Sequence, residues 1–441
     1  MDAAAAHVLV FPWPRQGHIN PMLHLAAALV DAGVRVTFLH TDHTLRRLAR
    51  APPPPPPRPM RVLSVPDGLP YCFLDLMASI CDTSRPAYRA LLLSSLLSSG
   101  APVTCVVADG TMPFAVQAAE ELGVPALAFA AHSACSYLAL LCTPRLDELG
   151  ETAFPADDPV RGVPGMEGFL RRRDLPRELH CAEQGGSDPM VLKVAEAIAR
   201  SCKAARVLLL NTAASMERPA LAHVASRAAT DVFAVGPLHA ASSSRSAASS
   251  NTSLWQEDEG CMAWLDGQGD RSVVYVSLGS LAVITHGQFT EFLAGLAATG
   301  HAFLWVLRPD LVRPASPGLL LREAVAAAAG GGDRARVVEW APQRDVLRHR
   351  AVGCFLTHAG WNSTLECAAE GVPMDVCDRG VVESTVREAM ASGEIRAAAG
   401  AMARQLRLDV AEAGSSSSEL ERLVRFIREL SVKPRNRINE D

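Results

Sequence analysis

The chain of 441 residues is 49% hydrophobic and 20% charged, which predicts an ordinary globular protein with enough apolar residues for two domain cores. Its formal net charge of -5 provides no general attraction to nucleic acid or to an anionic membrane, so a small molecule is the expected partner. The 11 cysteines are odd in number and form no CxxC pair, which indicates a reducing, cytoplasmic compartment rather than a disulfide framework.

The N-terminal sequence favours a buried strand over a signal peptide. It has no basic flank and soon reaches Pro12 and Pro14. The most apolar long stretch, residues 125–142, contains His132 and is barely long enough to span a bilayer. We therefore expect no membrane insertion, and we expect the protein to act as a monomer.

Alternating strand and helix patterns fill the first half of the chain. The apolar run 7–11 is followed by a turn-rich PWPRQGHINP, a helical stretch at 22–29 that stops at Gly33, and a second strand at 34–39. Similar apolar runs at 103–108, 126–129 and 207–211 predict a parallel, doubly wound sheet. The proline run 52–57 reads either as an exposed spacer or as an SH3 ligand.

A change of composition divides the chain. Residues 240–254 are rich in serine and alanine and form a predicted flexible linker. It separates an acceptor-binding domain at 1–239 from a second domain at 255–415, in which strand-like runs recur. The segment 416–441 begins with capping-box spacing and continues as an amphipathic helix.

Two doubly wound domains joined by a linker predict a cleft lined by the carboxyl ends of strands from both sides. The sequence contains no GxGxxG and no GxxxxGK[ST] motif, so an oxidoreductase on two nucleotide folds lacks its glycine fingerprint. No group of residues has zinc-ligand spacing, and we expect no metal.

The stretch 340–374, WAPQRDVLRHRAVGCFLTHAGWNSTLECAAEGVPM, carries the most specific pattern. A strand ending at Thr357 runs into HAGWNS and then a helix, so backbone N–H groups at the helix start can bind an anion. The stretch resembles the signature box of plant family-one UDP-sugar glycosyltransferases. GHINP at 17–21, PDGLP at 66–70, VVADG at 106–110, VGPL at 235–238 and SLGS at 277–280 agree with that family.

This resemblance implies a GT-B-like fold and a UDP-sugar donor site in the second domain. Trp340 would stack on the uracil, the Ala341 backbone and Gln343 would hold base and ribose, and Glu366 would accept hydrogen bonds from ribose hydroxyls. Taken singly, each residue also has a purely structural explanation, and only their joint spacing favours binding. The donor-site residues so implied are Ser280, Trp340, Ala341, Gln343, His358, Gly360, Trp361, Asn362, Ser363 and Glu366, of which Trp361 would border the sugar and the serines, His358 and Asn362 would bind the diphosphate.

By the same resemblance, His18 is the general base and Asp109 orients it. His18 follows the first strand and Asp109 ends another, so both can reach one edge of the sheet. A neutral imidazole would remove the proton of an acceptor hydroxyl as its oxygen attacks the anomeric carbon, and the carboxylate would stabilise the imidazolium. Inversion at the anomeric carbon follows.

The family pattern breaks after Met374. Asp375 and Asp378 interrupt the expected apolar strand, so we predict that this strand does not form and that the second domain lacks a helix and a neighbouring strand. An in-frame loss between Met374 and Asp375 explains both sides of the junction better than substitution with Glu383 at the position of a sugar-binding glutamine. A gene-model or splicing error would produce the same junction.

Two functions therefore stay open. The first is transfer of a sugar, expected to be glucose, from a UDP-sugar to a hydroxyl of a small lipophilic plant metabolite. The second is a catalytically impaired relative that only binds UDP or the acceptor. The acceptor pocket is expected around Trp13, Phe114, His132 and Tyr137.

Overall fold

The structure is a computed structural model, and contacts divide the chain into two units. The first unit contains Met1–Thr252 together with Asp409–Asp441, and the second contains Ser253–Leu408. The proline run 52–57 and the linker from residue 242 lie outside the described residues. The structure describes residues 6–49, 60–68, 79–97, 102–152, 157–175, 189–228, 230–241, 255–258, 260–313, 318–330, 334–376 and 381–432.

The first unit contains a parallel sheet whose order, in the described residues, is β3-β2-β1-β4-β5-β6-β7. The central strands β1, β4, β5 and β6 are apolar runs buried on both faces, as is typical of parallel sheets, whereas β3 and β7 at the two ends of this order are partly exposed. The chain leaves β1 for β2 on one side and later adds β4 on the other, so the strand order reverses between β1 and β4. The strands are β1 His7–Phe11, β2 Arg35–Thr41, β3 Arg61–Val65, β4 Cys105–Asp109, β5 Ala126–Ala130, β6 Val207–Leu210 and β7 Asp231–Ala234.

Helices connect these strands. A π-helical turn at Ile80–Ser84 precedes α3. The helices are α1 Gln16–Asp31, α2 Asp42–Leu48, α3 Arg85–Leu97, α4 Pro113–Glu121, α5 Ala134–Leu141, α6 Thr143–Glu148, α7 Pro189–Ala204, α8 Ala214–Ala228 and α9 Leu238–Ala241.

The first helix begins earlier than the sequence pattern predicts. The segment expected to be a turn before residue 22 already belongs to α1, which starts at Gln16 and contains Pro21. Pro21 lies little more than one turn from the helix start, where its missing N–H removes a single hydrogen bond. The correction places His18 in the first turn of a helix.

The second unit contains a parallel sheet of order β12-β10-β8-β13-β14 and a short pair, β11-β9, among the described residues. The strands are β8 Val273–Ser277, β9 Ile284–Thr285, β10 Ala302–Val306, β11 Val312–Arg313, β12 Ala335–Val338, β13 Val352–Thr357 and β14 Met374–Val376. The helices are α10 Gly260–Asp266, α11 His286–Thr299, α12 Gly318–Ala328, α13 Gln343–Arg348, α14 Trp361–Glu370, α15 Val382–Ala391 and α16 Gly393–Val410.

The prediction that no strand follows residue 374 is wrong. Residues Met374–Val376 form β14, which pairs in parallel with β13 from Phe355 to Thr357. The amide of Phe355 also donates to the carbonyl of Pro373 at 2.9 Å. Backbone groups make this pairing, so an aspartate within the strand does not prevent it, and at the end of the described strand order a polar residue is tolerated.

The final helix, α17 Ser415–Val432, packs on the first unit. Its apolar face buries Leu423, Val424 and Ile427 in a cluster that includes Leu25 and Phe38. The helix therefore covers the sheet face that α1 also covers. None of the helices in the described residues has the length and apolar character needed to cross a membrane.

Candidate active site

His18 and Asp109 meet where the strand order of the first sheet reverses. The first turn of α1, directly after β1, carries His18, and Asp109 is the last residue of the neighbouring β4. Nδ1 of His18 lies 2.7 Å from Oδ2 of Asp109. Because a carboxylate only accepts hydrogen bonds, Nδ1 donates, and Nε2 is left to accept a proton.

Asp109 is held as a carboxylate although it is 1% exposed. Its Oδ1 accepts from the amide of Thr111 at 3.0 Å and from the hydroxyl of Thr111 at 2.6 Å. Burial raises the pKa of Asp109, but the charge of His18 and the hydrogen bonds from His18 and Thr111 outweigh it and leave the pKa below its usual value. The carboxylate is thus fixed in place to orient the imidazole.

A second histidine faces the first. The ring of His132 lies 5.8 Å from that of His18 at an interplanar angle of 83°. Burial, followed by the neighbouring His18, lowers the pKa of His132 to about 4, so its ring is neutral near pH 7. Among the residues expected to form the acceptor pocket, Trp13, Phe114 and Tyr137 are buried, whereas His132 is partly exposed.

In the second unit, Gln343 forms hydrogen bonds with two other predicted donor-site residues. Its Nε2 donates to Oγ of Ser363 at 3.0 Å and to Oε2 of Glu366 at 2.8 Å. The hydroxyl of Tyr275, on β8, donates to Oε1 of Gln343 at 3.4 Å. Burial raises the pKa of Glu366, and the hydrogen bond from Gln343 opposes that shift. The structure therefore brings Gln343, Ser363 and Glu366 together at the start of α13 and on α14.

Trp340 precedes this network and is partly buried, whereas the neighbouring Ala341 is buried in the core. The ring of Trp340 stacks on that of Trp255, with centroids 5.8 Å apart and an interplanar angle of 17°. The stacking therefore fixes the orientation of the Trp340 ring within the second unit.

His358 joins two loops at the carboxyl end of the second sheet. A Cβ atom added to Gly279, whose φ is +69°, would lie 2.3 Å from Cε1 of His358, and one added to Gly360 would lie 2.5 Å from Nε2. The ring thus rests directly on both glycine backbones, and Ser280 follows in the same turn. Burial, and then the charge of Arg308, lower the pKa of His358.

The first turn of α14 contains Trp361, Asn362 and Ser363, and Gly360 stands at its N-cap. A glycine has no side chain to bond the first N–H groups, so an anion can approach them. Ala359 precedes with a φ of +54°, a left-handed conformation that costs a residue with a Cβ about 1–2 kcal/mol.

Comparison with known proteins identifies the family. The family described as UDP-glucoronosyl and UDP-glucosyl transferase matches residues 250–378. The chain is 37% identical over 470 residues to myricetin 3-O-rhamnoside 1,2-glucosyltransferase of Crocosmia x crocosmiiflora, covering 97% of each chain. It is 36% identical over 482 residues to 7-deoxyloganetic acid glucosyltransferase of Catharanthus roseus, covering 97% of this chain and 98% of that relative.

The chain belongs to the plant family-one UDP-glycosyltransferases.

Solved structures agree with this assignment. Os79 from O. sativa in complex with UDP superposes with a TM-score of 0.79 at 25% identity, covering 95% of this chain and 100% of that one. UDP-glucose: anthocyanidin 3-O-glucosyltransferase in complex with UDP has a TM-score of 0.77 at 21% identity, covering 97% of this chain and 100% of that one, and supports the fold alone. The expected GT-B-like fold is confirmed, and this UDP-glycosyltransferase transfers a glycosyl group from a UDP-sugar to a small-molecule acceptor.

Sequence reasoning missed Arg308 of this UDP-glycosyltransferase. The side chain is 2% exposed and donates to the carbonyl of Gly279, to the carbonyl of Ala282 at 2.7 Å and to Oδ1 of Asp310 at 3.0 Å. It therefore holds the loop after β8 against His358. A signal was present, because the arginine directly follows a buried apolar run at the carboxyl end of β10.

Sequence reasoning also missed Glu217. This buried carboxylate accepts from the amides of Ala134 and Cys135 at 2.8 and 2.9 Å and from the hydroxyl of Thr212 at 2.7 Å. It thereby binds the first N–H groups of α5, which begins two residues after His132. Its amide partners are 83 and 82 residues away in the chain, so no local pattern could reveal it.

In the residues that the structure describes, no group of three or more histidine, cysteine, aspartate or glutamate side chains could hold a metal ion.

Proposed function

We propose that this UDP-glycosyltransferase transfers glucose, with inversion, from UDP-glucose to a hydroxyl of a small lipophilic metabolite. The observation that carries the proposal is the 2.7 Å contact between His18 and Asp109 at the strand-order reversal of the first sheet. The relatives described above are glucosyltransferases by name, which supports glucose as the sugar.

In the proposed reaction, Nε2 of His18 accepts the proton of the acceptor hydroxyl as the hydroxyl oxygen forms a bond to the anomeric carbon. The bond between that carbon and the diphosphate oxygen breaks, and UDP leaves. Asp109 fixes the proton on Nδ1 and stabilises the imidazolium that forms. General-base assistance of this kind contributes about 10²–10⁴ in rate.

We propose that the donor binds to the second unit. Trp340 offers a flat ring to uracil, and Ala341 a backbone contact. Glu366, held by Gln343, accepts from the ribose hydroxyls. The diphosphate binds at the start of α14, where helix N–H groups stabilise the leaving group. The residues proposed for the diphosphate and sugar are Ser280, His358, Gly360, Trp361, Asn362 and Ser363.

We further propose an in-frame loss between Met374 and Asp375. The alignments to the two relatives span 470 and 482 residues, more than the 441 of this chain, so gaps open in this chain. The family match ends at residue 378. Sequencing the transcript across codons 374 and 375 tests the proposal, because an intervening coding segment would show a gene-model error instead.

A transfer assay with UDP-glucose and a panel of lipophilic alcohols and phenols tests the proposed function. We expect a β-linked glucoside and its loss in His18→Ala, with UDP affinity by calorimetry unchanged. Binding of UDP without any product would favour the alternative of a relative that only binds, which no comparison supports. The cytoplasmic location, the monomeric state and the domain limits stay predictions.

A further inference from the structure

The segment 255–258 packs against Trp340. The indole of Trp255 lies nearly parallel to that of Trp340, with centroids 5.8 Å apart and planes inclined by 17°. This separation is typical of an offset-stacked aromatic pair. Trp255 and Trp340 are both partly buried, so part of the pair is accessible to solvent.

Contacts of Asp258 hold the end of this segment beside Trp340. The amide of Asp258 donates to the carbonyl of Trp340 at 2.9 Å. The carboxylate of Asp258 lies 3.4 Å from Nη2 of Arg336, on the strand that leads to Trp340, and its carbonyl accepts from Sγ of Cys261 at 3.0 Å. Asp258 thus makes three contacts that anchor the segment.

The chain continues from this segment into the core. Cys261, in α10, is buried in a cluster with Tyr275 and Phe355, and Trp340 packs against that cluster. The segment that carries Trp255 is therefore anchored, through Asp258, to Trp340 and to the first residues of α10.

We propose that Trp255 is a positioning residue for the donor: its indole covers one face of Trp340, fixes the plane of that ring and leaves the opposite face to the uracil of the UDP-sugar. The inference rests on the proposed role of Trp340 as the uracil platform. The backbone and one face of Trp340 are already held, so this indole loses little conformational freedom when a base stacks on it. The affinity for UDP therefore increases although Trp255 itself does not contact the ligand.

The opposite arrangement, in which Trp255 occupies the position of the base, predicts the opposite result. The base would then have to displace Trp255, and removing this side chain would tighten binding. The tethering of residues 255–258 through Asp258 favours the first arrangement, because a segment anchored to β12, to α10 and to the backbone of Trp340 itself is not easily displaced by a base.

The test uses the full chain with Trp255→Ala and Trp255→Phe, and the probe is UDP. We expect Trp255→Ala to raise the Kd for UDP by about 2- to 13-fold, the worth of an aromatic pair, and Trp255→Phe to restore most of the affinity. The KM for UDP-glucose should rise in parallel with the Kd while kcat changes little. The near-UV circular dichroism of the stacked indoles should disappear in Trp255→Ala.

A double-mutant cycle separates positioning from a general loss of folding. If Trp255 acts through Trp340, Trp255→Ala adds nothing to the Kd of Trp340→Ala, whereas a folding defect would add in full. Unchanged or tighter UDP binding in Trp255→Ala would overturn the inference and leave the proposed function intact. Absence of UDP binding by the unaltered chain would overturn the proposed donor site and this inference with it.

Discussion

The carboxylate of Asp109 lies 2.7 Å from Nδ1 of His18, although 91 residues separate the two in the chain. The strand order creates this contact, because β1 and β4 are neighbours and their carboxyl ends point the same way. Thr111 supplies both of its donors to the other carboxylate oxygen, so the orientation of Asp109 does not depend on His18 alone.

Asp109→Asn should reduce kcat by about 10²–10⁴, because an amide facing Nδ1 disfavours the tautomer whose Nε2 accepts a proton. Affinity for UDP, measured by calorimetry, should not change. Thr111→Val is the matched control: it removes one hydrogen bond to Asp109 but keeps the contact with His18, and should lower kcat far less. Equal kcat in Asp109→Asn and the unaltered enzyme would exclude the proposed role.

Glu366 should make UDP binding depend on pH. Burial raises its pKa, so the carboxylate protonates at a higher pH than an exposed glutamate with its usual value of about 4.3. UDP affinity should fall as the pH drops through this raised pKa, since a protonated carboxyl accepts ribose hydrogen bonds poorly. The free energy of unfolding of the unliganded protein should instead increase as the pH drops through this range. The reason is that the folded state, in which the pKa of Glu366 is raised, binds this proton more tightly than the unfolded state does.

Glu366→Gln provides the control for this pH dependence. It keeps an oxygen that can accept from Gln343 but cannot ionise, so its UDP affinity should be lower at neutral pH and should lose the part of the pH dependence that comes from Glu366, leaving the contributions of His358 and of the UDP phosphates. Identical pH profiles for the two proteins would show that Glu366 does not bind the ribose as a carboxylate.

Gly279→Ala should weaken UDP binding because the new Cβ would collide with the ring of His358. Gly33→Ala is a close control: Gly33 also has a positive φ, +79°, but no atom lies within 4 Å of an added Cβ. The left-handed backbone should cost each variant about 1–2 kcal/mol, and the collision with His358 should destabilise Gly279→Ala further. Only Gly279→Ala should raise the Kd for UDP, and equal affinities would argue against His358 as a donor-site residue.

Arg308→Met should destabilise the protein by about 1–3 kcal/mol, because the partly buried carbonyls of Gly279 and Ala282 lose their buried donor. The exposed Arg322 pairs with Glu339 at 3.3 Å, and Arg322→Met should change stability by no more than about 0.5 kcal/mol. Denaturant unfolding compares the two. Since the charge of Arg308 helps to lower the pKa of His358, Arg308→Met should also raise that pKa in an NMR titration.

Local patterns in the sequence determined much of this protein. Runs of apolar residues predicted the central strands of the first sheet, β1, β4, β5 and β6, because a strand buried on both faces is recognisable from its composition. The half-exposed strands β3 and β7 were not predicted. Asp109 ends such a run and His18 lies in the segment that follows another, but their roles were indicated by the resemblance to the family rather than by position alone. The spacing from Trp340 to Glu366 was specific enough to indicate the family, since many residues recur at fixed distances.

The tertiary structure alone decided the remaining features. Glu217 caps a helix 83 residues away, and Trp255 stacks on a ring 85 positions further along, so neither has a local signal. Strand β14 contains an aspartate and forms nevertheless, because its backbone pairs with β13 and this pairing does not depend on the side-chain pattern. The periodicity of apolar residues in the sequence indicates which residues are buried. Which distant residues contact one another depends on the order of the strands in each sheet, and that order is set only when the separate parts of the chain pack together.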